Sequence, residues 1–239
     1  MDKMALTTAR RSFLARFGGA AAAFGAAFVA DESLAQAQGP IAPAAAWQPA
    51  RHAEDDWFEQ VSAKHRVFFD TTTAGGFAEA IFFAANTFTG NKTGYGLADA
   101  DIALVICARH QSTPFAFNDA MWAKYGASFA ERSKLGDVAA KEPPTVNPYL
   151  TTAGAAGGAT PRSNGVTLDA LVKRGVRLAV CGMATRASAS LIARKTGGDV
   201  DAVFKELTEH MVPNAHLVPA GIVAVNRAQE RGYSLVSVA

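Results

Sequence analysis

The stretch Arg177-Leu-Ala-Val-Cys181-Gly-Met-Ala-Thr-Arg186 carries a thiol where an apolar run breaks into small and polar residues. A thiolate is the nucleophilic form of cysteine, and nearby positive charge favours it. Arg186 and the start of a helix whose cap could be Thr185 would supply such charge. Cys181 can equally be a small core residue that closes a strand. Position alone leaves both readings open. A second group lies in Cys107-Ala-Arg109-His110-Gln-Ser112, followed by Asn118-Asp119. Arg109 and His110 could hold an anion, or His110 could move a proton; His110 could equally serve only the turn's backbone. Cys107 sits inside the apolar run and reads as an inert buried thiol.

Other chemistries find less support. There is no Cys-x-x-Cys pair and no Gly-x-Ser-x-Gly elbow. Gly75 and Gly76 precede a helix, but without the Gly-x-Gly-x-x-Gly spacing or the phosphate-binding lysine of a nucleotide loop. The candidate loops hold no paired carboxylates. Cys107, His110, Cys181 and His216 could converge, yet no two of them have metal-ligand spacing. The expectation is therefore no metal and no cofactor.

The elements that must position these residues alternate. Residues 65–72 and 100–108 read as strands, the second carrying a continuous apolar run and so buried on both faces. A helix follows each: one from Ala74 to a stop at Gly90 and Asn91, one from the cap Asn118 to Gly126. Residues 127–165, with Pro143, Pro144, Pro148 and Pro161, read as a long irregular excursion. Strand and helix then resume, with strands ending at Cys181 and before Pro219 and a last one after Gly232. This order implies one α/β domain with a mainly parallel sheet of about five strands. In such sheets ligands bind outside the carboxyl ends of the strands, where Cys181 and the Arg109–His110 turn both lie.

The chain of 239 residues has a formal net charge of +2, without the basic stripe that nucleic-acid binding needs. Its N-terminus reads differently from the rest. Arg10-Arg11-Ser-Phe-Leu precedes an Ala-rich apolar run that is too short for a membrane span, and Ala35-Gln-Ala37 offers a cleavage site. The pattern resembles a twin-arginine export signal over residues 1–37. It implies the export machinery and signal peptidase as partners, a periplasmic destination, and no membrane span in the mature chain. Residues 38–63 read as an N-terminal arm and 64–239 as the domain.

The order of pieces after residue 166 resembles the DsrE/DsrF-like sulfur-relay family. The resemblance rests on a helix and Gly175, a strand ending at Cys181, then "VPNAHLVPAGIVAVNRAQERGYSLVSV". It implies a flavodoxin-like three-layer fold and a homo-oligomer, a trimer or hexamer. It also implies that Cys181 carries sulfane sulfur as a persulfide, received from a small anionic sulfur species or a sulfur-donor protein. Arg109, His110, Asn118, Thr185 and Arg186 are the expected substrate-binding residues around it. The export signal and the 127–165 excursion depart from the small cytoplasmic relays. The alternatives are a non-catalytic small-ligand-binding or assembly module of the same fold, and a metal or haem carrier.

Overall fold

The computed structural model describes residues 47–59, 62–136, 142–152 and 163–239. The export signal and cleavage site expected in residues 1–37 lie outside the described residues. The chain divides between Gln48 and Pro49, and the unit Pro49–Ala239 holds the sheet and its helices.

Five strands, β1 (His65–Thr71), β2 (Ile102–Ala108), β3 (Arg177–Cys181), β4 (Ala215–Val218) and β5 (Ser234–Val238), form one parallel sheet. Their order is β4-β3-β2-β1-β5. Every residue of β2 is buried, as its unbroken apolar run requires of a central strand. The helices are α1 (Ala74–Tyr95), α2 (Asp119–Ser133), α3 (Leu168–Lys173), α4 (Gly182–Thr196), α5 (Val200–Glu209) and α6 (Gly221–Gln229).

Side chains alternate across the sheet and build two cores. Phe69, Leu104, Ile106, Leu178 and Val180 pack with α1 to α5 on one face. Phe68, Ala103, Val105, Cys107 and Ala179 pack on the other with α6 and with Trp57 and Phe58, from the short 3-10 segment Ala53–Phe58. The result is a three-layer, flavodoxin-like α/β fold. Its strand order differs from the 2-1-3-4-5 order of flavodoxin itself. Here β1 to β4 step one way across the sheet, and only the α6 crossover returns to β5 on the far side. Among the described residues, five helices therefore share one face and α6 lies on the other.

Several boundaries differ from the sequence expectation. Helix α1 runs past Gly90 to Tyr95 and is closed by Gly96 at φ 66°. An exposed helical glycine costs about 1 kcal/mol, which the buried face of α1 outweighs. Helix α2 continues past Gly126 to Ser133, bending at Tyr125. Gly126 is there for close approach, since a Cβ would lie 2.0 Å from the Pro144 carbonyl oxygen. Residues 127–133, expected in the irregular excursion, are therefore helical, and described residues further along it lie in the core. Asn147 is fully buried and its amide donates to the carbonyls of Phe115 and Phe117, both at 2.8 Å. The expected arm likewise ends inside the domain: the Tyr233 hydroxyl donates to the Phe58 carbonyl at 2.7 Å, and Trp57 stacks on His216.

Replacing Asn147 by Ala strands two buried carbonyls. Stability should fall by about 2 kcal/mol, read as a lower urea midpoint with unchanged slope.

Candidate functional site

Helix α4 leaves the end of β3 toward one face of the sheet, and α6 leaves the end of β4 toward the other. Neighbouring strands whose connections part in this way open a crevice at their carboxyl ends, the usual ligand position in parallel sheets. A cavity of about 270 Å³ lies there, with Cys181, Arg109, His110 and Arg132 in its lining.

Cys181 itself caps α4, which corrects the expectation that Thr185 would. The Ala184 N–H donates to its Sγ at 3.4 Å, while the buried Thr185 hydroxyl donates to the Cys181 carbonyl at 3.0 Å. The helix therefore starts at Gly182, where a Cβ would meet the Val218 carbonyl oxygen at 2.9 Å. Cys181 is 7% exposed and borders the cavity. The start of α6 closes the other side, and no side chain caps it.

Arg109 reaches back rather than out. Its Nε and Nη2 donate to the two carboxylate oxygens of the buried Asp70, at 2.6 and 2.8 Å. This fork-to-fork pairing neutralises both charges. The turn beneath it is fixed by buried hydroxyls. Thr71 donates to the Cys107 carbonyl at 2.6 Å, and the Ser112 hydroxyl accepts the Arg109 N–H at 3.0 Å. His110, exposed on this turn, is held at φ 58°, a conformation uncommon outside glycine.

The structure brings Cys181, Arg109 and His110 to one cavity and places the other expected residues elsewhere. Asn118 caps α2, accepting the Met121 N–H at 3.3 Å, and does not line the cavity. Arg186 pairs with Asp201 and lies over the Phe204 ring at 4.2 Å, so α5 rather than the thiol takes its charge. His216 stacks on Trp57 on the opposite layer, with burial and then Arg177 lowering its pKa. Among the described residues no three His, Cys, Asp or Glu side chains gather as a metal site. None of their helices is long and apolar enough to cross a membrane.

Arg132 is not among the residues that the sequence singles out. It stands near the end of α2, inside a segment whose composition reads as irregular; the helical spacing of Trp122, Tyr125 and Phe129 is the signal that carries the helix this far.

The two thiols differ in kind. Cys107 is fully buried against Gly221, with its Sγ 3.8 Å from that carbonyl oxygen. Burial, and next the Asp70 carboxylate, push its pKa well above the ordinary thiol range. Both cysteines are free. Cys107 pairs in register with Ala179, so Cys181 lies two residues further along the adjacent strand. That geometry separates the Cα atoms by about 8 Å, beyond the reach of a disulfide without backbone movement.

Fold and site together define a three-layer parallel α/β protein with a thiol at its switch-point crevice. No protein-family model matches the chain, and comparison with curated proteins gives no match. Among solved structures it is similar to a protein of unknown function, MTH1491 from Methanobacterium thermoautotrophicum. The identity is 12% over 72% of this chain and 98% of that one, with a TM-score of 0.35.

The contrast between the thiols has two measurable outcomes. A small alkylating reagent should modify Cys181 in the native protein and reach Cys107 only after denaturation, as peptide mass mapping would show. Native Cys107 stays protonated at pH values where the unfolded chain ionises it. Its contribution to stability is present below about pH 8.5 and declines above, by up to about 1.4 kcal/mol per pH unit. Urea midpoints measured from pH 8 to 10 should fall more steeply for the native sequence than for Cys107→Ala.

Proposed function

We propose that this is a periplasmic sulfur-handling protein in which Cys181 carries sulfane sulfur as a persulfide. The observation that carries the reading is the place of the thiol: at the cap of α4, facing the switch-point cavity, with the start of α6 opposite. In the step envisaged, the Cys181 thiolate attacks the sulfane sulfur of a donor. The donor's bond to that sulfur breaks, its leaving group takes the electron pair, and Cys181 keeps the sulfur as an S–S⁻ group. The protein then acts as a sulfur carrier, or as a sulfurtransferase when an acceptor is at hand. The DsrE/DsrF-like resemblance supports this role, and the N-terminal twin-arginine pattern supports the location.

A homo-oligomer is part of the same proposal. Met183 at 70% and Ile222 at 60% exposure leave apolar surface beside the crevice that a second copy would cover. One observation favours the alternative, a non-catalytic ligand-binding module. A larger apolar groove of about 580 Å³, walled by Phe204, Leu217 and Pro219, lies across Met183 from the thiol.

Intact-mass spectrometry after treatment with inorganic polysulfide separates the two. The native protein should gain one sulfur that dithiothreitol removes, and Cys181→Ser should gain none. Equal sulfur uptake by Cys181→Ser, or no uptake by either protein, would remove the carrier reading.

A further inference from the structure

Arg132 is the cation of the cavity that no other described residue neutralises. Arg109 is paired with Asp70. Arg132 is half-buried, lines the cavity and has no hydrogen bond or ion pair among the described residues. Among the described residues no aspartate or glutamate lines the cavity. The guanidinium fork suits an oxyanion with two oxygens to offer.

Beside Arg109, His110 and the thiol, the wall is apolar: Met183, Ala184, Ala187, Ala220 and Ile222 are half of the lining residues. A volume of about 270 Å³ corresponds to roughly nine water-sized groups and lies near the lower limit of small-molecule sites. Such a space exceeds what a compact inorganic dianion fills. Its apolar walls also favour a singly charged ion over a doubly charged one, because each further charge has to be desolvated against them.

We propose that the Cys181 cavity selects a singly charged sulfane-sulfur donor with an apolar body, of the organic thiosulfonate class, and that Arg132 holds its sulfonyl oxygens. The proposal rests on Cys181 being the sulfur acceptor. The balance is complete without a further reactant. The Cys181 thiolate, its proton given to water, forms a bond to the terminal sulfur of R–SO₂–S⁻. The bond between the two donor sulfurs breaks, and R–SO₂⁻ leaves with the electron pair. Two negative charges stand on each side, one on the persulfide and one on the sulfinate beside Arg132. Arg132 is thus a specificity and leaving-group residue; the bond-making group is the thiol.

The test uses the mature chain with benzenethiosulfonate, thiosulfate and inorganic polysulfide as separate donors. Sulfur on Cys181 is followed by intact mass, and sulfinate by chromatography. Benzenethiosulfonate should load Cys181 at least about tenfold faster than thiosulfate at equal concentration. Arg132→Gln should lose about ten- to a hundredfold of that rate, with Arg132→Lys recovering part of it. Loading from polysulfide, which offers no sulfonyl oxygens, should stay unchanged in both variants and reports that the fold and the thiol are intact. Equal rates for thiosulfate and benzenethiosulfonate, or a loss in Arg132→Gln shared with polysulfide, would overturn the proposal while leaving Cys181 as a sulfur acceptor. A native protein that takes no sulfur from polysulfide would end both.

Discussion

Gly221 sits where a side chain has no room. A Cβ there would lie 2.6 Å from Arg109 Cβ and 3.0 Å from Cys107 Sγ. The first turn of α6 therefore rests directly on the end of β2, and this approach shapes the carboxyl edge. It brings the start of α6 across β3 to the thiol of Cys181. It also seals Cys107 beneath the helix and pins the stem of Arg109, whose head then meets Asp70. The strand order makes the contact necessary. Among the described helices only α6 crosses the second face, and it must begin beside β3 and β4 to travel back to β5.

The same contact organises charge at the edge. A guanidinium held against a buried carboxylate is an expensive arrangement, offset only when the geometry is good and the remaining lone pairs are met. Asp70 and Arg109 meet that condition through their two parallel hydrogen bonds, and the Thr71–Ser112 hydroxyls satisfy the turn below. The edge of the sheet is thereby electrically quiet. What positive potential the crevice has comes from two helix starts and from Arg132, which approaches from α2 on the opposite side. Arg186, one turn into α4, contributes to the α4–α5 junction instead, because Phe204 and Asp201 offer its guanidinium a ring and a carboxylate.

Sequence carries the architecture well where a residue's role is local. The unbroken apolar run of β2 marks a central strand, and Asn118 marks the start of α2, because both depend on chemistry within a few residues. Where role depends on distant backbone, local signals point the wrong way. Gly126 looks like a helix stop, yet it is helical and makes room for the Pro144 carbonyl. Gly76 reads only as a glycine before a helix, yet a Cβ there would lie 2.5 Å from the Val238 carbonyl oxygen, so it also admits the end of β5. Arg186 is near Cys181 in sequence and turned elsewhere in space. Arg132 is far from it in sequence and lines the same cavity. Helix caps are local, but which neighbour receives a long side chain's charge is decided by packing that spacing cannot express.

Two cysteines on adjacent strands show how little displacement separates structure from chemistry. They point to the same face of the sheet, two residues apart in register. Cys107 lies within the ladder, where β1, β3 and α6 enclose it, and the thiol can only remain neutral and fill space. Cys181 is the last residue of its strand and the cap of its helix, so its sulfur meets a backbone N–H on one side and the cavity on the other. The sheet supplies rigidity up to the point where chemistry could begin, and the parting of α4 and α6 supplies the opening. A thiol one pair further down the strand would have the rigidity without the opening; one placed beyond Gly182 would have the opening without the fixed position.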